Sequence, residues 1–426
     1  MIFRVKSCFM TSGPIAGQGL GWLIVGALIS GLTGIAGVQA ADAPPTLAVK
    51  SSSVELPVAS VLPEGTVVDA QAGWQLVEPG TDTAIPAQIG AAPDEGGEVA
   101  EGRQRVLAVI PAGGEDEAWR EFQLVPAEDP PAAVFDFEDI TDASVKAREG
   151  DQPVFVYNHG VITREDLPES ERRRSRSCYI HPVYGMSGEV LTDDFPRDHY
   201  HHHGVFWTWP FVRVNDQRYD TWHDGPLRQV FGRWLVREVG PVAAVLAVEN
   251  GWIVDGDRLM IERVWMRAYR AGADDRALDV ELFFTPEAEI TLRGAAGKSY
   301  GGLTVRFAPG SRAETRITVP SGPTSGDLPD TPLKWADFTS RFGDLEHRSG
   351  AAIFVPPHHP DYPPAWLTRH YGPLCIGYPG VNARTFEPGT PFAIDYRLWI
   401  HREEGDFEEL KEVYQGYVRA TEAQWK

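Results

Sequence analysis

The chain is poor in cysteine, in basic residues and in long apolar runs, and each shortage narrows what it can be. Three cysteines stand in 426 residues, at positions 8, 178 and 375. Without the first forty residues, Cys178 and Cys375 remain, enough for at most one disulfide. Sequence does not say whether their Cα atoms approach, so they either pair or stand as separate buried thiols. Lys and Arg number 39 against 60 Asp and Glu, a formal net charge of −21. That surface disfavours nucleic acid and anionic membranes as partners. Beyond residue 40 no apolar stretch is long enough to span a bilayer. Gly-x-Ser-x-Gly, His-Glu-x-x-His and a glycine-rich phosphate loop ending in Lys-Ser/Thr are all absent. Tyr300-Gly301-Gly302 lacks the strand–helix context of a dinucleotide site, and no internal repeat is visible.

The first forty residues read as a cleavable export signal. Arg4 and Lys6 give a positive start, residues 20–38 are apolar or small, and Val38-Gln39-Ala40 offers small residues before a cut at Ala41. Cys8 has no hydrophobic stretch before it, so a lipid anchor there is not expected. The predicted location is therefore periplasmic or secreted. Removing Arg4 and Lys6 leaves 37 basic residues against 60 acidic, a net charge of −23. About 386 residues remain, enough for two modest domains or one large sandwich with an appendage.

Forty-three glycines and thirty-four prolines argue against a helix-rich fold. Residues 41–150 hold short strand-like runs, such as 46–50 and 105–110, between acidic turns at 95–98 and 113–116. This region is expected to form a small β-sandwich. From residue 151 onward strand-like runs recur at 243–249, 259–268, 278–285, 303–307, 315–319, 351–355 and 392–399. Leu278-Asp279-Val280-Glu281-Leu282 alternates with period two. One helix is expected from Asp406 to about Tyr417, with acidic residues at its start. The predicted fold is all-β: a large antiparallel β-sandwich at 151–426, a smaller N-terminal β region at 41–150 and a C-terminal helix.

The densest chemistry lies in Asp198-His199-Tyr200-His201-His202-His203-Gly204, followed by Phe206-Trp207-Thr208-Trp209-Pro210. Imidazole donates, accepts, titrates near neutrality and binds metals. If 198–204 is extended, His199, His201 and His203 share one face and His202 takes the other. Three readings stay open: a metal-free acid–base site, a metal site completed by Asp193, Asp194 or Asp198, and ordinary packing. Lys298, Tyr300 and Arg306 would share a face of an extended strand, unless Gly301 and Gly302 disturb the register. A tyrosine can protonate a leaving oxygen, and Lys or Arg can hold a carboxylate or stabilise an enolate. Pro356-Pro357-His358-His359-Pro360 and the segment 366–371 form a third group, with Trp366 for stacking and Arg369 for an acidic partner. Against these stand a packed proline-rich connector and a glycine turn. His181 reads as a core histidine, and Glu249 or Glu262 as a carboxylate able to face a cleft. Arg172-Arg173-Arg174-Ser175-Arg176 is the one basic block; it reads as a solvated loop before it reads as a uronate or sulfate site.

These blocks also carry a family resemblance. Tyr179-Ile180-His181-Pro182-Val183-Tyr184, Gly188-Glu189-Val190-Leu191-Thr192-Asp193-Asp194-Phe195-Pro196 and the histidine block resemble the bacterial PmoA-like family of unknown function. Tyr300-Gly301-Gly302-Leu303, Trp366-Leu367-Thr368-Arg369-His370-Tyr371-Gly372, Thr385-Phe386-Glu387-Pro388-Gly389 and Asp395-Tyr396-Arg397-Leu398-Trp399-Ile400-His401 fit it too, over roughly 150–405. The family's older label, methane oxygenase, does not suit a chain without membrane spans. The resemblance implies a secreted all-β protein with a super-sandwich fold like that of galactose mutarotase-type enzymes, found beside sugar-degrading enzymes.

The expectation is thus a carbohydrate-active protein, an enzyme using His/Tyr acid–base chemistry on a carbohydrate ligand. Lyase, hydrolase and epimerase chemistries stay open. His202, His203 and Tyr300 are the catalytic candidates. His199, His201, Trp207, Lys298, Arg306, His358, Trp366 and Arg369 are the substrate-contact candidates. No cofactor is required; a bound metal would use His199, His201, His203 and Asp198. The alternatives are a non-catalytic glycan-binding protein and a histidine-cluster metalloenzyme.

Overall fold

Two nine-stranded antiparallel sheets face each other and enclose the main core. One, the site sheet, runs in the order Thr331–Pro332, Ala365–Thr368, Pro373–Ile376, Gly302–Arg306, Val205–Thr208, Tyr179–Val183, Gln152–Asn158, Ser144–Glu149, Phe135–Thr141. The other, the back sheet, is built on the long strands Arg228–Val239, Ala243–Val254, Asp257–Tyr269, Asp275–Pro286 and Phe392–Arg402, followed by Ser349–Phe354 and Trp335–Ser340. The computed structural model describes residues 43–114, 118–223, 225–403 and 405–426. The expected export signal and two residues of an expected acidic turn, Glu115 and Asp116, fall outside them. Pro44–Lys426 forms one compact unit.

The period-two pattern explains the sandwich. In Asp275–Pro286, Leu278, Val280, Leu282 and Phe284 enter the main core together with Val205, Trp207, Leu303 and Val305 of the site sheet. The intervening Asp279 and Glu281 point to the opposite face of the strand. There they meet Arg267, Arg397 and, from the N-terminal sheet, Arg105. Both faces of this strand are therefore covered, one by hydrocarbon and one by paired charge.

The N-terminal sheet has seven strands in the order Leu56–Val61, Val99–Ile110, Ala84–Pro93, Trp74–Val77, Trp119–Pro126, Thr46–Lys50 and Gln424–Trp425. It has its own apolar cluster, centred on Leu47, Val58, Leu76, Val106 and Phe122. Its N-terminal strands end at Pro126. Residues 135–149, grouped by sequence with the N-terminal region, pair instead with Gln152–Asn158 and extend the site sheet. The reason is local: Ser144–Glu149 and Gln152–Asn158 are consecutive strands joined by a tight turn through Gly150, whose φ is +54°.

The C-terminal helix spans Phe407–Thr421. Asp406 and Glu409 form a reciprocal capping box at its start. Leu410, Tyr414, Tyr417 and Ala420 form its buried stripe. Cys178 and Cys375 are both buried free thiols. Among the described residues no helix is long and apolar enough to cross a membrane.

Candidate active site

The histidine block is an excursion from the site sheet, closed at its neck and turned at its tip. Asp194 and His203 form an antiparallel bridge, the Phe195 N–H donates to the His202 carbonyl, and the Gly204 N–H donates to the Asp193 carbonyl. At the tip the His199 N–H donates to the Pro196 carbonyl and the His202 N–H to the His199 carbonyl. These are i to i+3 turns, so the extended reading of 198–204 does not hold. Alternation is replaced by stacking: His199 lies 4.7 Å from His202 at an interplanar angle of 12° and 5.3 Å from Tyr371 at 10°. Gly204 returns the chain to the sheet with φ +39°, and a Cβ there would stand 2.0 Å from the Ile180 carbonyl oxygen. Only glycine makes that approach.

His203 is the best-supported group in the block. Its ring is 3 % exposed and packs against Tyr179 and Phe195. Its Nδ1 stands 2.8 Å from Asp194 Oδ1, while the Tyr179 hydroxyl donates to Asp194 Oδ2 at 2.8 Å. Burial holds the imidazole well below its usual titration range, with the nearby Arg176 charge acting in the same direction. Burial also pushes the Asp194 carboxyl up to about 6, opposed by His181, Tyr179 and Arg164. Near neutrality the pair is a carboxylate and a neutral imidazole. The Nδ1–H then donates to Asp194, and Nε2 keeps its lone pair. Nε2 has no hydrogen-bond partner among the described residues.

His203 lines a small depression of about 80 Å³, together with Trp222, His223, Asp220, Arg173 and Arg176. Asp220 accepts the Trp222 and His223 N–H groups at 2.8 and 3.0 Å and stands 2.9 Å from His223 Nδ1. A larger depression of about 430 Å³ lies elsewhere, lined by Asp275, Arg276, Arg397, Trp399 and His401. There Trp399 Nε1 donates to Asp275, His401 bonds Asp337 through Nε2 and the Glu403 carbonyl through Nδ1, and Arg276 Nη1 is buried without a hydrogen-bond partner. Size alone does not make it the better site.

The other candidates divide clearly. His201 packs at 4.6 Å on His223, and burial pushes it down to about 3. The Nδ1 atoms of His201 and His202 are buried without a hydrogen-bond partner in the structure. Arg306 is 4 % exposed. It donates to Asp198 at 3.1 Å and lies 5.0 Å from the Tyr371 ring, with Nε and Nη1 unpartnered. Tyr300 stacks behind Trp222 at 4.7 Å. These residues are brought together.

Lys298 is not part of that group. It is exposed, and Ser299 at φ +62° and the two following glycines break the extended register that would have aligned it with Tyr300 and Arg306. Trp207 and Trp366 are fully buried in the main core, so neither ring offers a stacking face. His358 pairs with Asp395 at 2.9 Å in a separate depression beside Arg267 and Asp279. Arg369 faces Asp327 at 3.9 Å, a carboxylate that also stands 2.8 Å from His370 Nδ1. Glu262 is fully buried and accepts from Gln229, Asn250 and Trp252, so it does not face a cleft. Arg172, Arg173 and Arg174 form a short 3₁₀ turn, but Arg176 turns inward.

As metal ligands, His199, His201, His203 and Asp198 do not form one set: Asp198 stands 2.9 Å from His199 Nδ1, and His203 Nδ1 is held by Asp194. Among the described residues, no group of three or more His, Cys, Asp or Glu is placed to hold a metal ion. Sequence reading passed over Tyr179, Asp220, Trp222 and His223. Asp220 and His223, three apart in a loop, were the available signal.

Residues 144–415 match a family of unknown function, DUF6807. The chain belongs to that family. The matched span begins at the strand Ser144–Glu149 and holds the whole histidine excursion, Arg306 and Tyr371, but not the N-terminal strands that end at Pro126. No curated protein matches the chain.

Proposed function

We propose that the DUF6807 region is a carbohydrate-active enzyme that works by acid–base chemistry, with His203 as the proton-transferring group. The observation that carries this reading is the Asp194–His203 pair at the wall of a polar depression. Asp194 fixes the tautomer and orientation of the ring, and Tyr179 fixes Asp194. Nε2 is then poised to take a proton from a sugar carbon or hydroxyl and to return it to a leaving or re-forming group. Trp222, His201 and His223 would border the bound sugar, and Tyr300 would support Trp222 from behind. The antiparallel β-sandwich, an architecture shared with sugar-processing super-sandwich folds, supports carbohydrate as the substrate class. The apolar segment 20–38 after Arg4 and Lys6 supports action outside the cytoplasm.

The test is product analysis across a glycan panel, comparing wild type with His203→Asn and Asp194→Asn. His203→Asn is expected to lower kcat by about 10²–10⁴-fold with an unchanged melting profile. Asp194→Asn is expected to lower kcat and alter the pH profile, since the ring loses its tautomer lock. Sugar binding with no product from any glycan would instead favour a glycan-binding protein.

A further inference from the structure

We infer that the depression beside His203 takes a carboxylate-bearing sugar, with Arg176 as the residue that binds the carboxylate. This rests on the carbohydrate reading above and names its substrate class. In a chain of net charge −21, this depression gathers three arginines, Arg173, Arg176 and Arg228, around one carboxylate, Asp220. Asp220 is committed to His223 and to two backbone N–H groups. Glu171 holds Arg173 in a two-point pair at 2.7 and 2.6 Å.

Arg176 differs from its neighbours. Its Nη1 donates to the Thr221 carbonyl at 3.0 Å and its Nη2 to Gln229 Oε1, both neutral acceptors. Its Nε–H is buried with no hydrogen-bond partner in the structure. Gln229 is in turn fixed by donating to the buried Glu262 at 2.7 Å. The guanidinium is thus held rigidly from behind by a side chain whose other end is anchored in the core. Such a group costs free energy to keep buried with an unmet donor, unless a ligand meets it. A single guanidinium with no carboxylate bonded to it matches a monoanion, and its planar fork suits a carboxylate. The neutral imidazole of His203 shares the same wall. A proton taken from the carbon next to a carboxylate leaves an enolate, a charge that Arg176, lining the same depression as His203, would stabilise.

The experiment compares wild-type protein with matched oligosaccharides that carry a hexuronate or its neutral, carboxyl-reduced counterpart. Binding is read by calorimetry and turnover by product analysis. The expectation is a preference for the uronate of at least about tenfold, the scale of one charge-assisted hydrogen bond. Arg176→Gln should erase that preference. Arg176→Lys should restore part of it. Because the wild-type comparison needs no variant, misfolding of either variant leaves the test intact. Binding and turnover of neutral glycans with no uronate preference overturn this inference and leave the carbohydrate reading standing. Binding of neither class overturns both.

Discussion

His359 shows at the scale of one residue what burial does to imidazole here. It is 3 % exposed, accepts the Asp361 N–H at Nδ1 and meets the Tyr396 hydroxyl at Nε2. Burial, with the charges of His358 and Arg384, pushes it down to about 3. In the unfolded chain it titrates near 6.5. The stability it contributes is therefore present above pH 6.5 and is lost as pH falls toward 3. Between pH 7 and 5 that loss is about 2 kcal/mol. Urea unfolding at the two pH values should show His359→Gln losing about 2 kcal/mol less than wild type; equal losses would sink the argument. His201 follows the same sign inside the site. Asp194 has the opposite sign: its carboxyl, pushed up to about 6, takes a proton in the folded state first, which favours folding as pH falls from 7 to 5. Sequence made His203 a candidate but hid its partner. Asp194 was one of three neighbouring aspartates, and only the neck bridge selects it. Trp207 and Trp366 misled for a related reason: an aromatic beside a polar block reads the same whether it faces a ligand or the core.

At the scale of elements, periodic segments were legible and turns were not. The strands at 243–249, 259–268 and 278–285 lie inside longer observed strands: 278–285 alternates between two different environments, and 243–249 is apolar as far as Val248 because both its faces are buried. The helix was legible from its acidic start; it runs on to Thr421 because Tyr417 and Ala420 continue the buried stripe. The excursion at 193–204 carries no period, since its shape depends on carbonyls of residues three apart and on Gly204 beneath Ile180. The capping box is testable by itself. Asp406→Ala should lower unfolding stability by about 1 kcal/mol, and Asp406→Asn by less. No change in the denaturation midpoint would show that the helix is held by its packing alone.

For the whole molecule, the decisive contact is the charged layer between the N-terminal sheet and the back sheet. Arg105 donates to Glu281 at 2.9 Å, Arg267 reaches both Glu281 and Asp279, and Arg397 donates to Asp279 at 2.6 and 2.9 Å. Asp279 and Arg397 are 7 % and 5 % exposed. Removing Asp279 strands the buried Arg397 and leaves Arg267 with Glu281 alone, so Asp279→Ala should cost about 3–5 kcal/mol. Both sheets should unfold in one transition; a separate early transition of the N-terminal sheet would contradict that coupling. Sequence foresaw an N-terminal β region but not this layer, because Arg105 and Arg397 meet their carboxylates from more than a hundred residues away in the chain.

The last strand of the N-terminal sheet, Gln424–Trp425, pairs with its neighbour at Leu47 and Ala48, and the Lys426 N–H donates to the Thr46 carbonyl. That pairing imposes an order in time. During synthesis the strand Thr46–Lys50 leaves the ribosome among the first of the described strands, yet its outer edge stays open until Gln424 and Trp425 arrive. Closing it pairs Leu47 with Trp425, a contact of very long sequence separation, which makes it a slow, late event. Until then the open edge is a place where a second nascent chain can add a strand.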